Sequence, residues 1–356
     1  MRILWLAPTY RSSARIRSDA LRNLGAEVML VTADRRYSEY EDKAEYETIL
    51  LGRPIPWADW VPCYRTYREA RRFSPDIVVT EYLGDPRWRA FAKLAPRIRL
   101  VHDDKPHDKG RGQWLPWWNR MFFERWDTKA DSTIVFSRYV ADTGLRALGG
   151  SRSPIHVAPL HSDLNPALIP DLVPAADRKN FLMFGRQRPY KNHEVIFAAW
   201  KAHVSGDAWR GDELVIYGEG EMIPLPPHCR WNRGDFKYRD LLPELSSAKG
   251  SIVHHTEGAS QSAVQVLSLQ LGVPPLVSTG GGLAEYQPDG LTVTGINDVD
   301  GLKRAIDALA DPEQVARQSR IAREHYRMNL DASVFALRFL EIAQDLISSS
   351  TNRTDP

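Results

Sequence analysis

The chain has 356 residues, 43% hydrophobic and 26% charged, with a net charge of only +2. That length accommodates two domains with a core each, and the composition argues against a mostly disordered chain and against one built of membrane spans. Cys63 and Cys229 are the only cysteines and lack metal-ligand spacing, which argues against a disulfide framework or a zinc site and fits a reducing cytoplasm.

The opening apolar run is too short for a secretion signal or a span and reads as a buried first strand over Ile3–Ala7. Ile16, Ala20, Leu21 and Leu24 then share a helical face, Gly25 closes that helix, and Glu27–Thr32 forms a second strand. Strand, helix, strand with a right-handed crossover opens a doubly wound parallel sheet. Thr9, Ser12 and Ser13 fall at the end of its first strand, where ligands bind in such sheets; as lone hydroxyls they also fit helix caps.

From Trp57 to Phe73 aromatics mix with Arg65, Arg68, Arg71 and Arg72, and helical spacing puts Arg65, Arg68 and Arg72 on one face. This face and the Trp-rich run Gln113–Trp126 suit either an anionic membrane surface or a solvated face with ordinary core aromatics. Further buried strands are read at Pro75–Val79, Arg99–Val101, Ser132–Ser137 and Ile155–Pro159. The polar cluster His102–His107 sits at a strand end, where a histidine can hydrogen-bond a sugar hydroxyl or merely cap a loop. The Pro-bearing segment Asn165–Ala176 marks a domain boundary.

The second half repeats this grammar. Phe181–Phe184 is an apolar strand ending at Gly185, followed by Arg186 and Lys191 and then a helix from His193 to about His203. A glycine permitting close backbone approach, a helix N-terminus and two cations form the layout of an anion site, and the implied ligand carries phosphate; the plainer reading is a surface loop with solvated cations. Then come a strand Glu213–Tyr217, the turn Gly218–Gly220, a strand Ser251–His254, the loop His255–Gln261, a helix ending near Leu271, a strand to Ser278 and a glycine-rich turn Thr279–Gly282. Amphipathic helices follow over Gly301–Ala310 and Asp331–Ile347, the latter with Val334, Leu337, Leu340 and Ile342 expected to pack, and Ser348–Pro356 is expected to be a disordered tail. Residues 1–165 hold 27 Lys and Arg against 21 Asp and Glu, and the remainder 20 against 24. A basic first half favours an anionic partner, although so small an excess also arises by chance. No nucleic-acid module or strongly basic stripe is present, so no nucleic-acid partner is expected.

Gly185-Arg186, four residues and Lys191 resemble the corresponding element of family 4 glycosyltransferases. Leu214–Gly220 is similar to that family's strand and Gly-acid-Gly turn, and Glu257-Gly258 heads the segment corresponding to its Glu-Gly-Phe-Gly loop. Gly272-Val273-Pro274, followed by Thr279-Gly280-Gly281-Gly282 and Glu285, resembles its Gly-Thr-Pro and Gly-Gly-x-x-Glu elements. In the first half Leu24–Val28, Pro75-Asp76, Val135–Ser137 and Val157–Pro159 with Asp163 agree more loosely. The resemblance covers nearly the whole chain and implies an α/β fold of GT-B type: two Rossmann-like domains over 1–165 and 177–330 with a nucleotide-sugar in the cleft, and a C-terminal helix over 331–356 crossing back to the first domain. The first domain would bind a glycan, lipid-linked or small-molecule acceptor and the second the donor.

It further implies a retaining hexosyltransferase without cofactor or metal; the cysteine usage fits the cytoplasm, and the basic face at 65–72 with the Trp-rich run at 113–126 suits peripheral contact with the inner face of the membrane. Arg186 and Lys191 would stabilise the leaving diphosphate, and Glu257 and His102 would contact the transferred sugar. Gly185, Gly218, Gly258, Ala259, Ser260, Gln265 and Ser13 would line the donor. Asp298 and Asp300 read as a helix cap rather than a metal motif. The second carboxylate of the family's Glu, seven residues, Glu motif is missing: Gln265 stands there counted forward from Glu257, Leu267 counted back from Gly272, and Gln265 can still donate and accept. Ser12-Ser13 replaces paired glycines, and Leu160–Asp163 replaces the family's Asn-Gly-x-Asp. The alternatives are a catalytically degenerate GT-B module that binds a sugar nucleotide and a nucleotide-sugar 2-epimerase.

Overall fold

The computed structural model describes residues 1–33, 40, 42–50, 60–81, 87–102, 129–146, 153–256 and 260–351. The chain divides into two compact units, Met1–Leu160 with Ala332–Pro356, and His161–Asp331. Each is a parallel sheet with helices on it.

In the first unit seven strands run in the order β3-β2-β1-β4-β5-β6-β7. They are β1 (Arg2–Ala7), β2 (Glu27–Ala33), β3 (Glu47–Leu50), β4 (Ile77–Glu81), β5 (Arg97–Val101), β6 (Ser132–Val135) and β7 (Ile155–Val157). Ile3 pairs with both Val28 and Ile77, so β1 is central. Leu4, Leu6, Val31 and Val78 pack on one face against Ala70 of α2 (Trp60–Phe73) and Trp88 and Phe91 of α3 (Trp88–Phe91). Trp5, pointing the opposite way in the pleat, meets Phe335 and Phe339 of the C-terminal helix, with ring centroids 6.3 and 5.6 Å apart. Cover on both faces is why these strands read as continuous apolar runs.

The C-terminal helix Ala332–Thr351 packs along α1 (Arg11–Asn23). Its buried stripe is Phe335, Ala336, Phe339, Ile342 and Ala343, whereas Leu337 is exposed. The expected stripe through Leu337 is therefore rotated, because the two phenylalanines supply the larger area to bury. The helix also continues through the expected tail as far as Thr351; residues 352–356 lie outside the described residues. Strand β3 escaped the sequence reading because it is four residues long and opens on a charge, Glu47. That carboxylate is buried against Arg11, at 2.7 and 3.0 Å, and Thr32, at 2.7 Å.

In the second unit six parallel strands run in the order β10-β9-β8-β11-β12-β13. They are β8 (Phe181–Phe184), β9 (Leu214–Tyr217), β10 (Cys229–Asn232), β11 (Gly250–Val253), β12 (Pro275–Ser278) and β13 (Val293–Thr294). Alternation along β8 divides two cores. Phe181 and Met183 pack with α4 (His193–Val204) and α7 (Val299–Ala308), and Leu182 and Phe184 with α6 (Ala263–Leu271). The short α5 spans Leu242–Ser246, and α8 (Pro312–His325), absent from the sequence reading, is polar except for residues such as Val315 and Ala322.

The segment Asn165–Ala176 groups with this second unit. Leu164 lies in the core with Leu182, and Arg178 and Arg323 donate to the Val173 and Pro170 carbonyls at 3.1 Å each. Both sheets reverse strand order at one point, between β1 and β4 and between β8 and β11. In open parallel sheets the crevice for a ligand opens there, beyond the carboxyl ends of the strands.

Candidate active site

In the second unit β8 delivers the chain to Gly185, whose φ of 91° is the left-handed conformation that glycine tolerates. Gly218, with φ 122°, lies so close behind that any Cβ on it would collide with the Gly185 carbonyl. Gln187 completes this support: its backbone N–H donates to the Glu219 carbonyl at 2.6 Å and its amide to the Gly185 and Tyr217 carbonyls at 2.9 and 3.3 Å. Gly218 thus shapes the loop from behind. The chain then makes a 3-10 turn over Pro189–Lys191, and Asn192, at φ 52°, donates to the Ile296 carbonyl at 2.8 Å before α4 begins.

Lys191 is folded back into this loop. Its side chain is buried, and Nζ donates to the Phe184 carbonyl at 2.8 Å and stands 3.5 Å from where a Gly185 Cβ would be. Among the described residues no carboxylate pairs with it. Burial lowers its pKa to about 8. Its neighbour His193 is pushed down to about 4, first by burial and then by the Lys191 charge. Arg186 is exposed, with no hydrogen bond or ion pair to another residue. The loop after β11 is tied on by the Thr256 N–H to the Tyr190 carbonyl, 2.8 Å, and by Asn192 against His254 Nδ1, 3.1 Å. Ser260 is buried there, whereas Glu257, Gly258 and Ala259 lie outside the described residues.

Gln265, on α6, is buried. Its amide nitrogen donates to the Leu283 carbonyl at 3.0 Å and to Gln287 Oε1 at 3.1 Å. The expectation that it both donates to and accepts from a ribose is therefore reduced to its Oε1 alone, because the donor side serves the fold. Leu267, the other position for the missing carboxylate, lies in the core. Asp298 caps α7, accepting from the Gly301 N–H at 2.8 Å. Among the described residues no group of three or more His, Cys, Asp or Glu is arranged to hold a metal ion.

In the first unit Ser12 and Ser13 are buried in the first turn of α1, after Tyr10 at the cap position, so neither is the cap residue. His102, at the end of β5, stacks on Tyr10 with centroids 4.1 Å apart and contacts Phe136 at 4.7 Å. Its Nε2 is 2.5 Å from Glu81 Oε1, at the end of β4. Glu81 is fully buried, and Arg17 Nη1 donates to the same oxygen at 2.7 Å while the Trp5 indole donates to Oε2 at 3.3 Å. Burial raises the pKa of this carboxyl, but the Arg17 charge and the His102 hydrogen bond outweigh it and hold it at about 2. Arg17, itself fully buried, lies between the Phe136 and Phe335 rings at 4.9 and 5.0 Å. The sequence reading missed Glu81 and Arg17. The available signal was an acid closing the otherwise uncharged strand Ile77–Thr80 at the edge where ligands bind.

The outer face of α2 carries Trp60, Val61 and Tyr64, 72%, 57% and 60% exposed, beside Arg65, Arg68, Arg71 and Arg72, none of them in an ion pair. Residues 57–59 and the run Gln113–Trp126 lie outside the described residues. Among the described residues no helix is long and apolar enough to cross a membrane.

Residues 16–165 match the family model for Glycosyltransferase Family 4. No curated protein matches the chain. Among solved structures, a glycosyltransferase from Rickettsia africae is 13% identical with a TM-score of 0.65, covering 97% of this chain and 98% of its own. An alpha-glucosyltransferase in complex with UDP is likewise 13% identical, with a TM-score of 0.66 over 97% of this chain and all of its own. Anabaena Alr3699/HepE in complex with UDP and glucose gives 13%, 0.64, 97% and 100% for the same measures. At such identity these structures speak for the fold, which is GT-B. Residues 16–165 are thus similar to family 4 glycosyltransferases, and the two Rossmann-like sheets have the topology of the GT-B fold.

Proposed function

We propose that the protein moves a hexose from a nucleotide-sugar to a glycan, lipid-linked or small-molecule acceptor, with retention and without a metal, in the cytoplasm. The second unit holds the donor: Arg186 and Lys191 take its diphosphate, and Gly185, Ser260 and the loop Glu257–Ala259 surround it, with Gly218 behind. The first unit supplies His102 and the Ser13 turn and binds the acceptor. The observation that carries this reading is Lys191, an ammonium buried with one carbonyl and no carboxylate. Burying an unpaired charge costs several kcal/mol, and an arriving diphosphate is the counter-charge that offsets it. As the sugar bond breaks, negative charge grows on the leaving phosphate, where two fixed cations stabilise it most.

The test is mass spectrometry of products from a panel of nucleotide-sugars, with and without saccharide acceptors. Uridine nucleotides come first because similar folds have been solved with UDP. Transfer that disappears in folded Arg186→Ala and Lys191→Met supports the assignment. Donor isomerised without acceptor would instead identify an epimerase, and nucleotide binding without turnover a degenerate module.

The α2 face favours an acceptor at a membrane. Exposed Trp60 and Tyr64 suit the headgroup layer, and four unpaired arginines attract anionic lipid, each by about 1 kcal/mol. Sedimentation at low salt with phosphatidylglycerol vesicles but not phosphatidylcholine vesicles, lost in an Arg65→Glu and Arg68→Glu double variant, is expected. Absence of sedimentation at low salt would refute the contact.

A further inference from the structure

We propose that His193 takes a hydroxyl of the nucleotide-sugar: Gln187 accepts its Nε2 proton, so that Nδ1 stands beside the Lys191 loop as a lone-pair acceptor. The identity of the ligand rests on the donor site proposed above. The pairing with Gln187 and the state of the ring rest on contacts within the second unit.

The network fixes which way the Gln187 amide points. Its Nε2 donates to the Gly185 and Tyr217 carbonyls at 2.9 and 3.3 Å, and turning the amide over would set its oxygen against both. Oε1 therefore faces His193 Nε2, 3.0 Å away, and an amide oxygen can only accept. The shared hydrogen belongs to the ring. A neutral imidazole with its proton on Nε2 carries its lone pair on Nδ1. Burial and the Lys191 charge, which bring the His193 pKa down to about 4, oppose a second proton, so the ring stays an acceptor at neutral pH.

The fold makes no use of Nδ1. Among the described residues no group hydrogen-bonds to it, and His193 is half-buried rather than enclosed. His254, a buried histidine of the same unit, differs: Asn192 Nδ2 meets its Nδ1 at 3.1 Å, and its Nε2 meets Thr294 Oγ1 and the Gly295 carbonyl at 3.1 and 3.2 Å. The His193 ring is also held in place, by Gln187 and by Phe197 one turn along α4, with ring centroids 5.7 Å apart. Gln187 in turn is anchored at the carboxyl ends of β8 and β9, the edge of the sheet at which ligands bind. The side chains of Arg186 and Lys191 offer donors, which suit phosphate oxygens. A lone pair repels those oxygens and calls for a ligand O–H, which a nucleotide-sugar carries on its ribose and its hexose.

Nitrogen-15 NMR of the histidine rings in the full-length protein at neutral pH reads the ring directly, with His193 assigned by the signals lost in His193→Asn. The expected spectrum shows the neutral Nε2–H tautomer. A wild-type ring protonated on Nδ1, or on both nitrogens, overturns the proposal. Calorimetry then compares UDP, its 2′- and 3′-deoxy forms and UDP-glucose, with the guanosine and adenosine counterparts. His193→Leu is expected to weaken binding about tenfold, the worth of one hydrogen bond, whereas His193→Asn, whose Oδ1 can stand at the Nδ1 position, retains most of it. A loss with UDP and UDP-glucose that one deoxy form does not show places the hydroxyl on the ribose, and a loss confined to UDP-glucose places it on the hexose. Binding to folded His193→Leu as tight as to the wild type, or a loss that both deoxy forms share in full, overturns the proposal. If no nucleotide binds the wild type, the donor reading fails and the ligand role of His193 with it, while the tautomer still reports on the pairing with Gln187.

Discussion

The two units bury charge in opposite ways. In the first, Arg17 and Glu81 neutralise one another at 2.7 Å, His102 meets the same carboxylate oxygen at 2.5 Å, and the Phe136 and Phe335 rings flank the guanidinium. In the second, Lys191 is buried with a single carbonyl, and Arg186 stands without any partner. A satisfied buried pair is a piece of alignment that the fold supplies. A buried cation without a counter-charge is costly, and on the proposed reading a ligand anion offsets that cost. On the reading proposed above, this difference separates a half that would take phosphate from a half whose buried charges are already matched.

The largest expected effect comes from breaking the satisfied side. Glu81→Gln leaves Arg17 buried and uncompensated, at a cost of about 3–5 kcal/mol of stability, whereas adding Arg17→Met to it restores most of that loss. Urea titration of the single and double variants measures both. If the single variant is as stable as the wild type, the pair is not the closed unit described here.

Next in size is Lys191→Met, which is expected to lower transfer by roughly two to three orders of magnitude, as loss of one charge-stabilising group does. The same variant is expected to stabilise the ligand-free protein near neutral pH. Burial takes Lys191 from 10.5 to about 8, so removing the charged form relieves about 3–4 kcal/mol at about 1.4 kcal/mol per pKa unit. Loss of activity with gain of stability is the signature of a site held open for a ligand.

The pH dependences separate the two regions further. Because the folded-state value of Lys191 lies below 10.5, the unfolded chain holds more protons between the two values, and stability rises as pH climbs from about 8 to 10.5. Glu81 gives a slope of the same sign in a different window: its folded-state value of about 2 lies below the ordinary 4.5, so its contribution is present above pH 4.5 and disappears as pH falls towards about 2. Thermal melts across both windows, with Lys191→Met and Glu81→Gln each removing one slope, check the assignment. The smallest effect is expected at the loop support, where Gly218→Ala must push the Gly185 carbonyl aside and should cost about 1–3 kcal/mol.

Much of this was legible in the sequence, for physical reasons. Strands buried on both faces are uninterrupted apolar runs, so β1, β2, β4, β8, β9, β11 and β12 stand out, and glycines such as Gly25 and Gly185 mark turns that need a positive φ. The elements that did not stand out are those whose stability is supplied by the rest of the fold. Strand β3 is held by the buried Arg11 to Glu47 pair, β10 alternates half-buried and exposed residues at a sheet edge, and α8 shows a mostly polar face. In the site, Arg186 and Lys191 were visible as a spacing, but the burial of Lys191 was not, because a lysine six residues after a glycine gives no hint of which way it folds. Glu81 and Arg17 were invisible as a pair since 64 residues separate them along the chain. For Gln265 the count along the chain could not show which of its polar atoms the fold itself uses: tertiary packing directs its amide N–H groups to Leu283 and Gln287 and leaves Oε1 as the acceptor.

The central claim is that the unpaired Lys191 is the diphosphate site. Isothermal titration with UDP, GDP and ADP near pH 8, in two buffers of different ionisation enthalpy, tests it most directly. A bound diphosphate stabilises the charged ammonium, so the wild type should bind at least one of these nucleotides with uptake of a proton, and Lys191→Met should lose both the binding and the uptake. Binding to folded Lys191→Met as tight as to the wild type, or no binding to the wild type at all, would contradict the account.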